Sequence, residues 1–495
     1  MSWLGIDAGT SSVKALLIDD AQTVLAEAAA PLEVQRPHPQ WSEQDPADWW
    51  RATEDAVAQV RAAAPEAWAG LDGIGLSGQM HGAVLLDAAD AVLRPAILWN
   101  DGRAGAECLE LERRVPDFRA RACNRAMPGF TAPKLLWVQR HEPDVFARLG
   151  TVLLPKDYIR LRLTGERVGE MSDASGTLWL DIAARDWDDE LLAASGLGRR
   201  HMPRLVEGSA VSGLLRPALA AGWGLAGRRV VVAGGAGDNA ASAVGIGAVA
   251  AGAGFLSLGT SGVVFAATDR LRAAPERTLH AFCHALPDRW HVMSVTLSAS
   301  SSLSWMADAL GQTDIDALLS RVAAEAASAE WRRNAPIFLP YLSGERTPHN
   351  DPDATGLFAN LRPNHGAEAL TYAVLEGVAF SLADGLDVVR EAGVDLRDCA
   401  LVGGGSRSRF WAGMLADVLG LPLLRPRGAV LGASLGAARL AMLAGGAGTV
   451  AAVCTPPPME EQVAPAAPDA ARAARRARYH ALYRVEAGSR SPAGT

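Results

Sequence analysis

Val230-Val231-Val232-Ala233-Gly234-Gly235-Ala236-Gly237-Asp238-Asn239-Ala240-Ala241-Ser242, close to the middle of a 495-residue chain, reads as a short buried strand, a glycine turn and the start of a helix. So short a valine run suits a strand covered on both faces, and the glycines let the backbone turn tightly before small residues begin the helix. Asp238 thus falls at a strand-to-helix junction. Two roles are open to its carboxylate there. One is capping, in which an oxygen accepts from the orphan N–H groups of the first helical turn. The other is a general base on the floor of a cleft, because open α/β sheets bind ligands beyond the carboxyl ends of their strands.

Outward from this stretch, the composition sets bounds. With 49% hydrophobic and 21% charged residues over 495 positions, the chain is too long for a single core, and two domains are expected. A formal net charge of -8 leaves no electrostatic footprint for nucleic acid, and no basic run reads as a membrane patch. The stretch Arg472 to Arg478 is locally basic and is expected to form a solvated helix. The five cysteines, Cys108, Cys123, Cys283, Cys399 and Cys454, are scattered and have no metal-ligand spacing, which suits a reducing compartment. The amino terminus reaches Asp7 within one short strand, leaving no room for a signal-peptide core, and no uncharged apolar run approaches membrane-spanning length. A soluble, cytoplasmic protein is the expectation.

Two hairpins frame the chain. Trp3 to Asp19 reads as strand, the turn Gly9-Thr10-Ser11, then strand, and Gly254 to Asp269 repeats the pattern around Gly259-Thr260-Ser261. Each turn directs N–H groups and hydroxyls one way, a cradle for phosphate oxygens. The repeat predicts two similarly built halves, unequal in one respect: where the first has Asp7, the second has Ser257.

Between the hairpins, strands and helices alternate. Asp45-Pro46-Ala47-Asp48 is a helix start, with a cap, proline at the first helical position and an acid in the first turn. Trp49, Thr53, Ala56, Val57 and Val60 then share one face and belong in the core. Ile74 to Ser77 and Ala96 to Trp99 read as strands ending in the polar loops Gly78-Gln79-Met80-His81-Gly82 and Asn100-Asp101-Gly102-Arg103, and a helix carrying Lys134 and Trp137 follows Pro133. In the second half, Pro336 to Leu342 leads into the turn-rich Ser343-Gly344-Glu345-Arg346-Thr347-Pro348-His349. A long helix is predicted from about Ala367 to Glu391, and Ala400-Leu401-Val402 runs into the triple glycine Gly403-Gly404-Gly405.

Phosphate turns on two sides of a cleft, a triple glycine and strand-end carboxylates are what phosphoryl transfer needs. Its catalysis is largely positioning and charge stabilisation, with magnesium shared by the phosphates and an acid that orients or deprotonates the attacking group. No Walker-type Gly-x-x-x-x-Gly-Lys-Ser/Thr occurs, and no Gly-x-Gly-x-x-Gly follows the first strand.

These parts together resemble the actin, heat-shock-protein and sugar-kinase superfamily, and within it the FGGY carbohydrate kinases. Gly129-Phe130-Thr131-Ala132-Pro133-Lys134-Leu135-Leu136-Trp137-Val138-Gln139-Arg140-His141 is similar to that family's first signature. The strings Arg36 to Pro46, Gly78 to Gly82, Arg94 to Arg103 and Leu342 to Asn350 resemble segments of the members that act on D-xylulose. The likeness covers nearly the whole chain. After about Pro456 the sequence is proline- and alanine-rich and adds nothing to it.

The resemblance implies two actin-like, ribonuclease H-like α/β domains with a catalytic cleft between them. Residues 1–245 would bind sugar and carry the base, 246–480 would bind nucleotide, 481–495 would be a flexible tail, and the halves would hinge near Gly245 to Gly254. It implies ATP and Mg2+ as cofactors, D-xylulose as partner, and transfer of the γ-phosphoryl group to the 5-hydroxyl; a homodimer follows by analogy alone. Asp238 falls on the family's base, and Asp7, with Asp238, on the acids that hold magnesium. Met80, His81, Asp238, Asn239, Trp99 and Phe130 fall on or near the sugar. Gly9, Thr10 and Ser11, then Gly259 and Thr260, then Gly404 and Gly405 face the nucleotide. Lys14 either supports phosphate charge or snorkels to the surface. His284 and His291 are read as structural, and Arg346 and His349 have no assigned role. Ribulose, gluconate or glycerol kinases of the same family, an actin- or chaperone-like ATPase and a non-catalytic sugar sensor are the competing readings.

Overall fold

The computed structural model describes residues 1–427 and 432–490. Strands β1 (Ser2–Ala8) and β2 (Ser12–Asp19) run antiparallel around the first Gly-Thr-Ser turn, with Asp7 opposite Lys14, and β3 (Val24–Pro31) extends the ladder. On the other flank of β1 lies β4 (Leu71–Gly78), parallel to it and buried along nearly its whole length. Its small and apolar residues suit a strand covered on both faces. With β5 (Val211–Leu214) and β6 (Val231–Ala233) the sheet has the order β5-β6-β4-β1-β2-β3, and the short β7 (Ala236–Gly237) also pairs with β4.

The second sheet repeats this plan. Strands β8 (Gly254–Leu258) and β9 (Gly262–Thr268) form the second hairpin, followed in the chain by β10 (His280–Cys283), β11 (Trp290–Thr296), β12 (Cys399–Val402), β13 (Leu423–Pro426) and β14 (Met459–Val463). The spatial order is β10-β11-β9-β8-β12-β13-β14, and β12 runs parallel to β8 as β4 does to β1. The molecule is thus the expected α/β fold of two domains, with one seven-stranded sheet in each.

Helix α1 (Pro46–Ala63) starts where its signals place it: Asp45 caps it by accepting from the Ala47 N–H, and Trp49, Thr53, Ala56, Val57 and Val60 are buried. Helix α2 (Thr131–His141) carries the signature segment, and α3 (Asp238–Ile246) follows β7 directly. Helix α4 (Ala367–Glu391) has the predicted bounds. It is long and apolar enough to cross a membrane, yet 94% of its most apolar window is buried in the second domain, so its composition is that of a core helix. Helix α5 (Arg409–Leu419) follows the triple-glycine turn. Helix α6 (Gly432–Ala444) then leaves the second domain to pack on β1, β4 and α3 of the first.

The carboxy-terminal expectation needs correcting. Helix α7 (Ala470–Arg490) is docked, so 481–490 is not a free tail, while 491–495 lies outside the described residues. The basic stretch within it is helical but only partly solvated. Arg475 is buried against Glu376 at 2.6 Å and donates to the carbonyls of Ala335 and Pro336. Tyr479 is buried and meets the Tyr341 hydroxyl at 2.6 Å, and Arg490 pairs with Asp351 at 2.7 Å. Carboxylates distant in sequence absorb the charges that a local reading leaves to water. All five cysteines are buried and free.

Candidate active site

Three parallel strand ends set the floor of the site. Ser77 of β4 is paired with Asp7 of β1 on one side and Ala236 of β7 on the other, so Asp7 and Asp238 are delivered to the same sheet edge from either flank of β4. Gly237 takes the helix cap position and Asp238 is the first residue of α3, so Asp238 is not the cap. One oxygen, Oδ1, accepts from the Asn239 backbone N–H at 2.7 Å and from Asn239 Nδ2 at 2.9 Å. The other, Oδ2, accepts no hydrogen bond among the described residues. Burial and then the neighbouring Asp7 charge push the Asp238 carboxyl up to about 6. Asp7 is also raised by burial, against the Ser77 hydroxyl, which donates to it at 2.9 Å, and the opposing charge of Lys14.

Beside Asp238 lies a cavity of about 260 Å³. From the first domain it is lined by Met80, His81, Trp99, Met127, Gly129, Phe130, Asp238 and Asn239, which include every residue read as a sugar contact. Met80 and His81 fit because two glycines leave room. A Cβ on Gly237 would lie 2.8 Å from Met80 Cγ, and one on Gly176 would lie 2.5 Å from the His81 ring. His81 adopts φ 70°, a left-handed conformation that is costly for a non-glycine residue and is held by its surroundings. The buried Lys134 ammonium donates to the His81 and Gly129 carbonyls, each at 2.8 Å, and burial brings its pKa down to about 7.

The His81 imidazole is neutral, since burial first and the nearby Lys134 charge second lower it to about 3. Its Nδ1 lies 2.8 Å from the Gly176 carbonyl, a contact that requires Nδ1–H as donor. Nε2 is therefore an acceptor, fit for a sugar hydroxyl. Phe130 meets the His81 ring edge to face at 4.7 Å, giving an apolar wall for carbon–hydrogen surface.

The second domain lines the same cavity with Ser257, Gly259, Thr260, Ser261, Val263, His280, Phe282, Met293, Val295 and Arg346. Sequence reasoning placed only nucleotide contacts in this half. His280, Phe282 and Arg346 stand on an edge strand and a loop whose place beside His81 depends on long-range packing. The one available signal for Arg346 was its string, Ser343 to His349.

The phosphate turns are placed on either side of the domain junction. In the first, the Thr10 hydroxyl is already committed, accepting from Trp99 Nε1 and donating to Gln79 Oε1, both at 3.0 Å. Gly9 N–H is likewise used, by the Ser12 carbonyl. The donors left for a phosphate are the N–H groups of Thr10 and Ser11 and the exposed Ser11 side chain, so the cradle is narrower than expected. In the second, the Gly259 and Thr260 carbonyls accept from N–H groups at the start of helix Ser300–Ala309, while among the described residues the turn's own N–H groups show no such backbone partner. Gly404 and Gly405 do not line the cavity; they lie at the end of β12, next to β8, in the 3-10 turn Gly404–Arg407. A Cβ on Gly405 would come within 2.6 Å of Leu258 and Ser300, so glycine is what lets this turn lie against the second hairpin. His284 and His291 are buried among aromatic rings away from the lining.

Among the described residues, no cluster of three or more His, Cys, Asp or Glu could hold a metal unaided, and neither Asp7 nor Asp238 has an ion-pair partner. Two neighbouring hard carboxylates without an ion-pair partner among the described residues, both raised by burial and Asp238 also by the charge of Asp7, fit a magnesium ion completed by phosphate oxygens and water, the usual mode for that ion.

The N-terminal domain profile of the FGGY family of carbohydrate kinases matches residues 2–245, and its C-terminal domain profile matches 254–445. A xylulose kinase of Escherichia coli strain K12 is 52% identical over 89% of this chain and 90% of that protein. One of Bacillus subtilis strain 168 is 37% identical over 90% of this chain and 88% of its own. The crystal structure of a xyloylose kinase from Brucella ovis superposes with a TM-score of 0.95 at 51% identity, covering 99% of this chain and all of that one.

Proposed function

The chain belongs to the FGGY family of carbohydrate kinases, and from that premise we propose that it transfers the γ-phosphoryl group of ATP to the 5-hydroxyl of D-xylulose. The relatives at 52% and 37% identity, named as xylulose kinases, support the sugar. The observation that carries the reading is Asp238. It lines a cavity of about 260 Å³ shared with the acceptor imidazole of His81 and with the second Gly-Thr-Ser turn, and its Oδ2 accepts no hydrogen bond among the described residues.

In this reaction the sugar O5–phosphorus bond forms, the bond from the γ-phosphorus to the bridging oxygen of ADP breaks, and the O5 proton passes to Asp238 Oδ2. A pKa of about 6 suits a general base, because the carboxylate is ionised at neutral pH yet more basic than an ordinary aspartate. Asn239 fixes the carboxylate's orientation through Oδ1. Met80 and Phe130 supply apolar surface to the carbon chain, and the N–H groups of Thr10 and Ser11 in the first Gly-Thr-Ser turn, with those of the second turn, suit phosphate oxygens. Asp7, beside Asp238, is the residue that would hold magnesium while Asp238 Oδ2 stays available to the proton, and the ion when bound with ATP supplies charge neutralisation at the phosphate oxygens. The five free thiols support a reducing, cytoplasmic setting.

A coupled ADP-release assay with MgATP and a panel of D-xylulose, D-ribulose, L-ribulose, gluconate, glycerol and no sugar tests the reading. Selective turnover with D-xylulose is expected. Release without sugar would point to an ATPase instead. For Asp238→Asn the expected loss in kcat is at least ~10²- to 10⁴-fold with ATP binding retained, and near-normal turnover would remove Asp238 from the role of base.

A further inference from the structure

Arg346 is the unexplained cation of the cavity. Its guanidinium lines the wall contributed by the second domain and, among the described residues, makes no hydrogen bond or ion pair. An arginine presents five donors in a rigid fork, and partly buried donors of this kind are rarely left without an acceptor. The adjacent carboxylate does not supply one. Glu345 is turned into the core, where its oxygens accept from the Thr296 and Ser381 hydroxyls, from Leu297 N–H at 3.0 Å and from Arg346's own N–H at 2.7 Å.

The loop that presents Arg346 is rigid. Thr347 N–H donates to the Val295 carbonyl at 3.0 Å, the Val295 N–H donates back to the Thr347 hydroxyl at 3.1 Å, and that hydroxyl donates to the Thr278 carbonyl at 2.9 Å. Glu345 inward and Thr347 pinned to β11 leave the intervening side chain facing the cavity. Its charge bears on the His81 and His280 imidazoles, which burial already holds neutral, whereas the charge bearing on Asp238 is that of Asp7. The one cavity therefore has in its lining both an acid, Asp238, and a guanidinium, Arg346, with no hydrogen-bond or ion-pair partner among the described residues.

Chemistry says what a sugar offers to each group. In the furanose form of a 2-ketopentose, O5 is the ring oxygen and cannot be phosphorylated, so a substrate that reacts at O5 is bound open-chain with a free carbonyl at C2. We propose that Arg346 is a specificity residue contributed by the second domain, its guanidinium donating to the carbonyl oxygen of the open-chain ketose while Asp238 faces the terminal hydroxyl. This rests on the ketopentose kinase reading above. Arg346 then distinguishes a ketose from the corresponding polyol, whose C2 hydroxyl is a weaker acceptor. It also ties the second domain to the sugar.

The test compares kcat/KM for D-xylulose and for D-arabinitol, which keeps the terminal hydroxyls but lacks the carbonyl, in wild type, Arg346→Gln and Arg346→Lys. Arg346→Gln is expected to lower kcat/KM for D-xylulose about 10- to 100-fold, mostly through KM, to leave KM for ATP unchanged and to shrink the ketose-to-polyol ratio. Arg346→Lys should recover part of the ratio, and unchanged KM for ATP shows that each variant is folded. An unchanged ratio, or a loss expressed in KM for ATP, overturns the assignment while leaving the kinase reading intact. Wild-type turnover with no ketopentose would remove both.

Discussion

Glu345 and Asp238 are buried carboxyls held in opposite ways. Glu345 spends both oxygens on four internal donors, and burial still outweighs those bonds, raising it to about 7 from the ordinary 4.5. The folded protein therefore keeps a proton on Glu345 that the unfolded chain releases between those two pH values. The stability this group allows is full below about 4.5 and is lost as pH rises through about 7. Glu345→Gln keeps the shape and cannot ionise, so thermal midpoints measured on either side of that window should move in the variant's favour at the higher pH, by the equivalent of roughly 3 kcal/mol. A gap between variant and wild type that does not change with pH would show that Glu345 is ionised when buried. At this scale the sequence was informative where glycine strings flank the residue: Asp7, Met80, His81, Asp238 and Asn239 all converge as read. It was silent on Arg346, whose meaning depends on where Glu345 points, and on the Thr10 hydroxyl, which is claimed by Gln79 and Trp99 from distant parts of the chain while its N–H stays in the turn.

Among the elements, α6 joins the domains, and it does so through glycines. A Cβ on Gly75 of β4 would lie 1.8 Å from the Ala437 carbonyl oxygen, and one on Gly436 would lie 1.8 Å from that of Ala241 on α3. Both obstacles are backbone, so neither can be relieved by a rotamer change. Gly75→Ala and Gly436→Ala are each expected to destabilise by more than the ~1–3 kcal/mol typical of overpacking. Gly413, inside α5, is the control: a Cβ there meets nothing within 4 Å, and Gly413→Ala should stabilise by ~0.5–1 kcal/mol through helix propensity. Comparable melting midpoints for all three variants would mean that the α6 contact yields more easily than its geometry indicates. Local signals explain what was legible here. The cap at Asp45 and the apolar repeat through α4 lie within their own helices, whereas the docking of α6 on a sheet formed some 350 positions earlier, and that of α7 through Arg475 and Glu376, are written in no local pattern.

For the whole molecule, a kinase must exclude water from the γ-phosphate until the sugar is in place, which calls for movement of one sheet against the other. The repeated Gly-Thr-Ser hairpins made the two-half plan legible, but the expected hinge at Gly245 to Gly254 is only one of the connections. Besides α3 and α6, a seam along β10 and β11 fastens the second domain to the first on the sugar side. Asn124 Nδ2 donates to the Ala281 carbonyl at 2.9 Å, Cys283 N–H to the Ser175 hydroxyl at 3.0 Å, Trp290 Nε1 to the Ile182 carbonyl at 2.9 Å and Arg185 to the Arg289 carbonyl at 3.0 Å. Among the described residues, no hydrogen bond joins the first phosphate turn to the second or to the triple glycine. Closure is therefore expected on the nucleotide side, which lacks such bonds, about an axis through the helix pair and the seam. Small-angle scattering should show little change in radius of gyration with D-xylulose alone and compaction when a non-hydrolysable ATP analogue is added with it. Full compaction with sugar alone would place the axis elsewhere. If the seam sets the axis, Asn124→Ala should enlarge the ligand-free molecule and raise KM for the sugar more than KM for ATP, because it loosens the wall that carries His280, Phe282 and Arg346 against His81.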